Sequence, residues 1–283
     1  MNRIAFLNIK GGAGKTASAT TVAHILATEY NKKVLLVDLD PQGNAGSQFN
    51  NIDFKDDFLR KMNGEIRVIE NSVADLLIDK DIDIKKCISK TEYNNLDVIY
   101  SDMRLISVDM AMRSNVTSPQ QFRLKHHMKK IDNEYDVCIF DCSSNENLVN
   151  TNGLMCTDEV YIPTTTSGNS LEGIPLAFKM IDEIQDYHDS LKIAGVFFTC
   201  YTEKKEVTKL LNEIMKQGIE EEYIIPINIR VSTYLEKNSV RRKPLLVLDK
   251  AKTSGATKDY IKLVKYILAP NKKIIVEELL KEL

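Results

Sequence analysis

The chain has 283 residues, 43% of them apolar and 28% charged, with a formal net charge of -2. This is the composition of a soluble globular protein with room for one large α/β domain or two smaller ones. It excludes a global basic field, so nucleic-acid binding would need a local patch, and no apolar run reaches the about 18 residues that span a bilayer.

The first apolar run covers residues 4–7, and no signal peptide is expected before it. It leads into Lys10-Gly11-Gly12-Ala13-Gly14-Lys15-Thr16, and a helical stretch runs from Ala17 to about Tyr30. Strand, glycine loop, Gly-Lys-Thr and helix are the layout of a phosphate-binding P-loop. Glycines let backbone N–H groups turn toward phosphate oxygens, and the helix start adds free N–H groups and the positive end of its dipole. Lys15 would neutralise the β- and γ-phosphates, and the Thr16 hydroxyl would ligate Mg²⁺. The usual pattern has a glycine where this chain has Ile9, and Lys10 follows it.

Further near-continuous apolar runs lie at 34–38, 96–100, 137–141, 160–163, 193–198 and 223–226. Runs of this kind are strands buried on both faces. Helical candidates at about 119–131, 170–187, 203–218 and 253–268 separate them. The alternation, taken with the P-loop, predicts a single-domain P-loop NTPase fold of class α/β, with a mostly parallel twisted sheet of about seven to eight strands between two helical layers. Residues 50–70 are polar and read as a surface excursion, and Ser72 to Asp75 reads as a helix cap and first turn. The expected division is an ATPase domain over 1–269 and a C-terminal helical extension over 270–283.

Two strand ends carry carboxylates. Asp38 and Asp40 stand in Asp38-Leu39-Asp40-Pro41-Gln42-Gly43-Asn44, and Asp141 closes the run 137–141. In a parallel sheet the carboxyl ends of strands form the ligand crevice, which would set these carboxylates beside the P-loop. A hydrophobic strand ending in Asp is the Walker B pattern that holds Mg²⁺ directly or through water. Alone, each Asp is equally a cap or turn residue.

The five cysteines, Cys87, Cys138, Cys142, Cys156 and Cys200, contain no Cys-x-x-Cys pair and read as buried free thiols in a reducing cytoplasm. His126 and His127 read as surface residues, and no zinc site is expected. Between Arg230 and Lys252 lie seven basic and two acidic residues, a local excess of five. A solvated charged face is the alternative to a nucleic-acid patch.

The P-loop, the Asp38–Asn44 run and the run 135–142 together resemble the deviant Walker ATPases of the ParA/MinD superfamily, and the Asp-x-Asp-Pro-Gln-Gly-Asn run resembles its ParA (Soj-like) partition branch. Ser170-Leu171-Glu172-Gly173, 225–230 and Lys243-Pro244-Leu245 follow in that branch's order, and the resemblance covers roughly residues 1–268. It implies slow, partner-stimulated ATP hydrolysis with ATP and Mg²⁺. Lys10 would be the signature lysine that reaches a partner protomer's phosphates across an ATP-sandwich homodimer. Gly11 to Ala17 would wrap the phosphates, with Ala17 replacing the family's second Thr or Ser. Lys10, Lys15 and Asp40 would serve catalysis, Asp40 by positioning the attacking water. Asp38 and Asp141 would organise Mg²⁺ with Thr16. Adenine would lie near Thr199 and Pro226. Cys142-Ser143-Ser144 replaces Cys-Pro-Pro, so a more mobile loop is expected there.

The same resemblance implies non-specific DNA binding, first by Arg241, Arg242 and Lys243 and then Arg230, with Lys204 and Lys205 weaker choices. It also implies a ParB-type centromere-binding partner and a cytoplasmic, nucleoid-associated location. No helix-turn-helix is expected ahead of the P-loop. A MinD-like membrane ATPase is one alternative, but residues 271–283 balance three Lys against three Glu, so no stable membrane association is expected. A nucleotide-switch scaffold in conjugation or polar localisation is another. Metal-cluster carriers share the loop, yet Cys142 has no evident second ligand.

Overall fold

The computed structural model describes residues 1–65, 67–202 and 206–281. Among them the sheet has seven strands: β1 (Asn2–Phe6), β2 (Val34–Asp38), β3 (Ile88–Lys90), β4 (Leu96–Ile99), β5 (Val137–Asp141), β6 (Glu159–Thr165) and β7 (Lys192–Thr199). Their order is β3-β4-β2-β5-β1-β6-β7, and every pair is parallel except β3 with β4. The expected mostly parallel α/β sheet is therefore present, and its central strands are buried along their length.

Alternation along each strand divides the core in two. Ile4, Phe6, Leu36 and Ile139 face one layer with the helices Lys15–Thr28 and Gly255–Leu268. Ala5, Leu7, Val37 and Phe140 face the other, with Arg104–Ser114, Leu148–Leu154 and Gly173–Gln185. The helix Lys15–Thr28 is buried almost throughout, because it runs against the sheet centre and is covered by Gly255–Leu268.

Three expectations need correction. Residues 223–226 are not a strand. A 3₁₀ turn spans Glu221–Tyr223, and the chain then runs beside β7 through isolated bonds, Ile225 N–H to the Val196 carbonyl at 2.9 Å and Ile229 N–H to that of Phe198 at 2.7 Å. Pro226 has no N–H to continue a ladder. The unforeseen strand is β3, a three-residue antiparallel edge. His127 is buried with 1% exposure, its Nε2 facing the Asp79 carbonyl at 3.1 Å, while His126 is exposed.

The polar excursion contains a helix, Phe54–Met62. Asp53 caps it by accepting from the N–H groups of Lys55 and Asp56. Asp56 and Asp57 occupy its first turn and Arg60 and Lys61 its last, which complements the helix dipole. Its packing is inverted. Asp57 is buried, whereas Phe54, Phe58, Leu59 and Met62 are exposed. Ser72 and Asp75 form the expected capping box of the helix Val73–Ile78. The helix Lys272–Lys281 lies on Gly255–Leu268, with Ile275 and Val276 against the core.

Candidate nucleotide-binding site

The site is built at the carboxyl ends of the central strands. Register pairs Phe6 with Asp141 and Asp38 with Asp141, so the two carboxylates stand side by side at the end of β2 and β5. Both are fully buried. The glycine loop crosses this edge and turns into its helix at Gly14, which has φ 89° and acts as the cap. Only glycine suits this position: a Cβ would sit 2.8 Å from Thr199 Oγ1 in addition to the strained dihedral. Thr199 Oγ1 donates to the Ala13 carbonyl at 2.9 Å and so fixes the loop to the end of β7. Thr199 thus meets the loop itself, and Pro226 is half-buried on the segment beside β7.

Lys15 is buried and donates from Nζ to the Lys10 carbonyl at 3.0 Å. Burial holds its pKa below the ordinary lysine value, while Asp141, Cys142 and Asp40 pull the other way. Asp38 Oδ1 accepts from Asp40 N–H at 3.1 Å, and Oδ2 accepts from Gly46 N–H at 2.9 Å. Burial nevertheless raises its pKa to about 7, those two bonds lower it, and the Asp40 charge raises it again. Asp141 is the extreme case. Neither carboxylate oxygen has a hydrogen-bond partner among the described residues. Burial and then the Asp38 charge push its pKa well up, against the Thr16 hydroxyl and Lys15.

Buried carboxylates without partners are costly unless a cation meets them. Thr16 and Asp141 with Asp38 beside them are an all-oxygen donor set, which suits Mg²⁺. Among the described residues no group of three or more His, Cys, Asp or Glu side chains could hold a metal alone. That accords with the habit of Mg²⁺ of taking most of its ligands from phosphate and water. The residues present therefore fit a phosphate-bound Mg²⁺.

Lys10 lies at the rim, where its ammonium pairs with Glu172 at 3.2 Å and remains 37% exposed. The loop Asp40–Asn44 is shaped by Asp40 Oδ1 accepting from Gln42 N–H at 2.9 Å and by Ser101 Oγ donating to the Asp40 carbonyl at 2.6 Å. Beyond β5, Ser143 is held rather than loose. Asn150 Oδ1 accepts from its N–H and Asn150 Nδ2 donates to its carbonyl, both at 3.0 Å. Glu172, Ser101 and Asn150 were not foreseen in these contacts: the partners of Glu172 and Ser101 lie 162 and 61 residues away, and Asn150 meets Ser143 across seven residues that no spacing rule marks.

The expected DNA residues do not form one free patch. Arg242 closes the helix Thr233–Arg241 in a left-handed conformation and pairs with Asp57 at 2.5 Å, both side chains 11% exposed. Lys243 pairs with Glu92 at 2.8 Å, and Arg230 grips Asp259 through Nε and Nη2. Arg241 is exposed, one turn after the exposed Lys237. Lys204 and Lys205 lie outside the described residues.

Known proteins share this arrangement. The sequence profile described as an AAA domain matches residues 1–193. The sporulation initiation inhibitor protein Soj of Bacillus subtilis is 30% identical over 94% of this chain and 98% of its own length. The chromosome-partitioning ATPase Soj of Treponema pallidum is 31% identical over 81% and 84%. In structure, a putative plasmid partition protein from Borrelia burgdorferi bound to AMPPNP superimposes with a TM-score of 0.70, at 23% identity, over 100% of this chain and 99% of that one. With its P-loop, its two strand-end aspartates and these relatives, the chain belongs to the ParA (Soj-like) partition ATPases of the ParA/MinD superfamily.

Proposed function

We propose that this chain is an ATP-driven partition switch that works as a homodimer on DNA. The carrying observation is the pair of aligned, buried carboxylates Asp38 and Asp141, with Asp141 unpartnered and set beside Lys15 and Thr16. In this reading Gly11 to Ala17 present their N–H groups to the phosphates of ATP, and Lys15 exchanges the Lys10 carbonyl for a phosphate oxygen. Thr16, Asp38 and Asp141 hold Mg²⁺ and its waters. Mg²⁺ supplies charge neutralisation at the β- and γ-phosphates when bound. Asp40 orients the attacking water, and Thr199 and the Pro226 segment border the adenine side. Lys10 leaves Glu172 to reach the partner protomer's phosphates. Its worth is greatest there because a closed interface excludes water.

The DNA face is the outer side of Thr233–Arg241. Arg241 leads, and Arg230, Arg242 and Lys243 contribute by sharing or releasing Asp259, Asp57 and Glu92. Phosphate contacts of this kind carry no sequence code. Hydrolysis is slow until a ParB-type centromere-binding protein stimulates it and releases the dimer. The location is the cytoplasm, at the nucleoid. Ile275 and Val276 pack inward, and the three Lys and three Glu of residues 271–283 balance, which favours the DNA reading over a membrane one.

The test is binding to a random-sequence duplex with ATP, ADP or no nucleotide over a salt series, for wild type and Lys237→Ala/Arg241→Ala. The expected result is salt-sensitive binding with ATP alone, weakened in the double variant. Failure to bind in every nucleotide state would overturn the reading.

A further inference from the structure

The nucleotide edge and the basic helix meet at one buried polar contact. Asn238 Nδ2 donates to Gln48 Oε1 at 2.9 Å, across 190 residues of sequence, with the two side chains 3% and 5% exposed. The same Asn238 amide donates to the Lys243 carbonyl at 2.9 Å, and the Asn238 carbonyl accepts from Arg242 N–H at 2.8 Å. Asn238 therefore holds the end of Thr233–Arg241, where Arg241 stands.

On the other side, Gln48 directly follows the short helix Asn44–Ser47. That helix is tied to the site by Gly46, whose N–H donates to Asp38 Oδ2 at 2.9 Å. Gly46 also lies close to the Tyr100 ring, with no room there for a Cβ. Tyr100 in turn donates its hydroxyl to the Phe49 carbonyl at 3.3 Å. Asp38, Gly46, Gln48, Asn238 and the end of the basic helix thus form an unbroken run of bonded, closely packed joints. Close-packed joints pass on displacement instead of absorbing it.

A buried amide pair can be a simple staple, each member satisfying the other. Its placement argues for more. It joins the segment tied to the carboxylate assigned to the cation directly to the helix assigned to DNA, and the Arg242–Asp57 and Lys243–Asn51 bonds at the same helix end run instead to the excursion and its start. Any second demand on Asp38 Oδ2 competes with Gly46 N–H for the same oxygen.

We propose that the Gln48–Asn238 hydrogen bond couples the nucleotide state at Asp38 to the placement of the helix Thr233–Arg241, with Gln48 and Asn238 as positioning residues. The inference rests on the nucleotide site proposed above, and its test does not require DNA. Hydrogen exchange is followed in the full chain, without nucleotide and with ADP or ATP and Mg²⁺, for wild type, Gln48→Met and Gln48→Glu. Methionine keeps the length and removes the acceptor, whereas glutamate keeps an acceptor for Asn238.

In wild type, ATP is expected to change exchange about fivefold or more both at 10–18 and at 233–241, the lower end of ordinary coupling between sites. In Gln48→Met the response at 10–18 persists and that at 233–241 falls below about twofold; in Gln48→Glu both persist. The coupling is overturned if 10–18 responds in wild type while 233–241 does not. It is equally overturned if Gln48→Met responds like wild type at both. If the two segments respond as expected but no state binds DNA, the coupling stands and the DNA reading falls.

Discussion

Asp57 and Asp141 are both buried carboxylates, and their surroundings could hardly differ more. Asp57, on the excursion helix, meets Arg242 at 2.5 Å and Lys61 at 3.2 Å. Burial raises its pKa, but the bonds from Arg242 and Lys61 outweigh burial and leave it below the ordinary carboxylate range. Asp141, at the centre of the sheet edge, has no hydrogen-bond partner for either oxygen among the described residues, and burial and the Asp38 charge push its pKa well up despite the nearby Thr16 hydroxyl and Lys15. The first site is finished within the chain. The second has Lys15 and the Thr16 hydroxyl nearby, and they do not offset burial and the Asp38 charge. Charge that is already answered holds structure together, and charge left unanswered in a closed site marks where a ligand belongs.

The widest test of that contrast is Asp141→Asn. Loss of the carboxylate is expected to lower ATP hydrolysis by about a hundredfold or more, read as phosphate release. The same change removes a buried carboxyl that lacks a hydrogen-bond partner among the described residues, and its repulsion with Asp38, so without nucleotide the variant should melt higher than wild type at pH 7. With ATP and Mg²⁺ the order should reverse. A lower melting temperature without nucleotide would mean that Asp141 is answered within the chain after all.

Asp57→Ala leaves Arg242 without its acceptor and is expected to cost about 2 kcal/mol, below the range for fully buried pairs because some solvent reaches both groups. Chemical denaturation of Asp57→Ala, Arg242→Met and the double variant measures it. A double variant more stable than either single one would locate the cost in the orphaned partner.

A smaller effect tests the rule on a neutral group. His24, on the P-loop helix, is buried edge-on to Tyr93 at 4.6 Å, and neither ring nitrogen has a partner among the described residues. Burial lowers its pKa to about 4, against the Glu29 charge. The unfolded chain binds this proton near pH 6.5, so stability is full above that value and falls as pH drops toward 4. Between pH 7 and pH 5 the loss is about 2 kcal/mol. His24→Leu should flatten that part of the pH–stability curve, and an unchanged slope would assign it to other groups.

Much of this was legible in the sequence, for particular reasons. The central strands are buried on both faces and so are written as continuous apolar runs. The P-loop and the strand-end aspartates are local motifs whose chemistry follows from residue type and spacing. β3 escaped because three residues, one of them Lys90 at the edge, carry no period. The helix Phe54–Met62 escaped because its apolar residues point to solvent. The DNA assignment was the least legible. Arg242 and Lys243 read as free cations until folding brings Asp57 and Glu92 to them across 185 and 151 residues.

That inverted helix also has its own thermodynamic character. Phe54 stacks on Phe58 at 6.4 Å, and the Arg242 guanidinium lies 5.4 Å from the Phe54 ring centre, but the helix is fastened to the body through charge and not through a shared apolar core. Detaching it exposes little new hydrocarbon, so the opening carries a small heat-capacity change and a shallow denaturant dependence. Salt and acid act on it more strongly than urea does. Residues 53–62 would then exchange their amides through a local event that is largely blind to denaturant, while the strands beneath wait for the whole molecule to unfold.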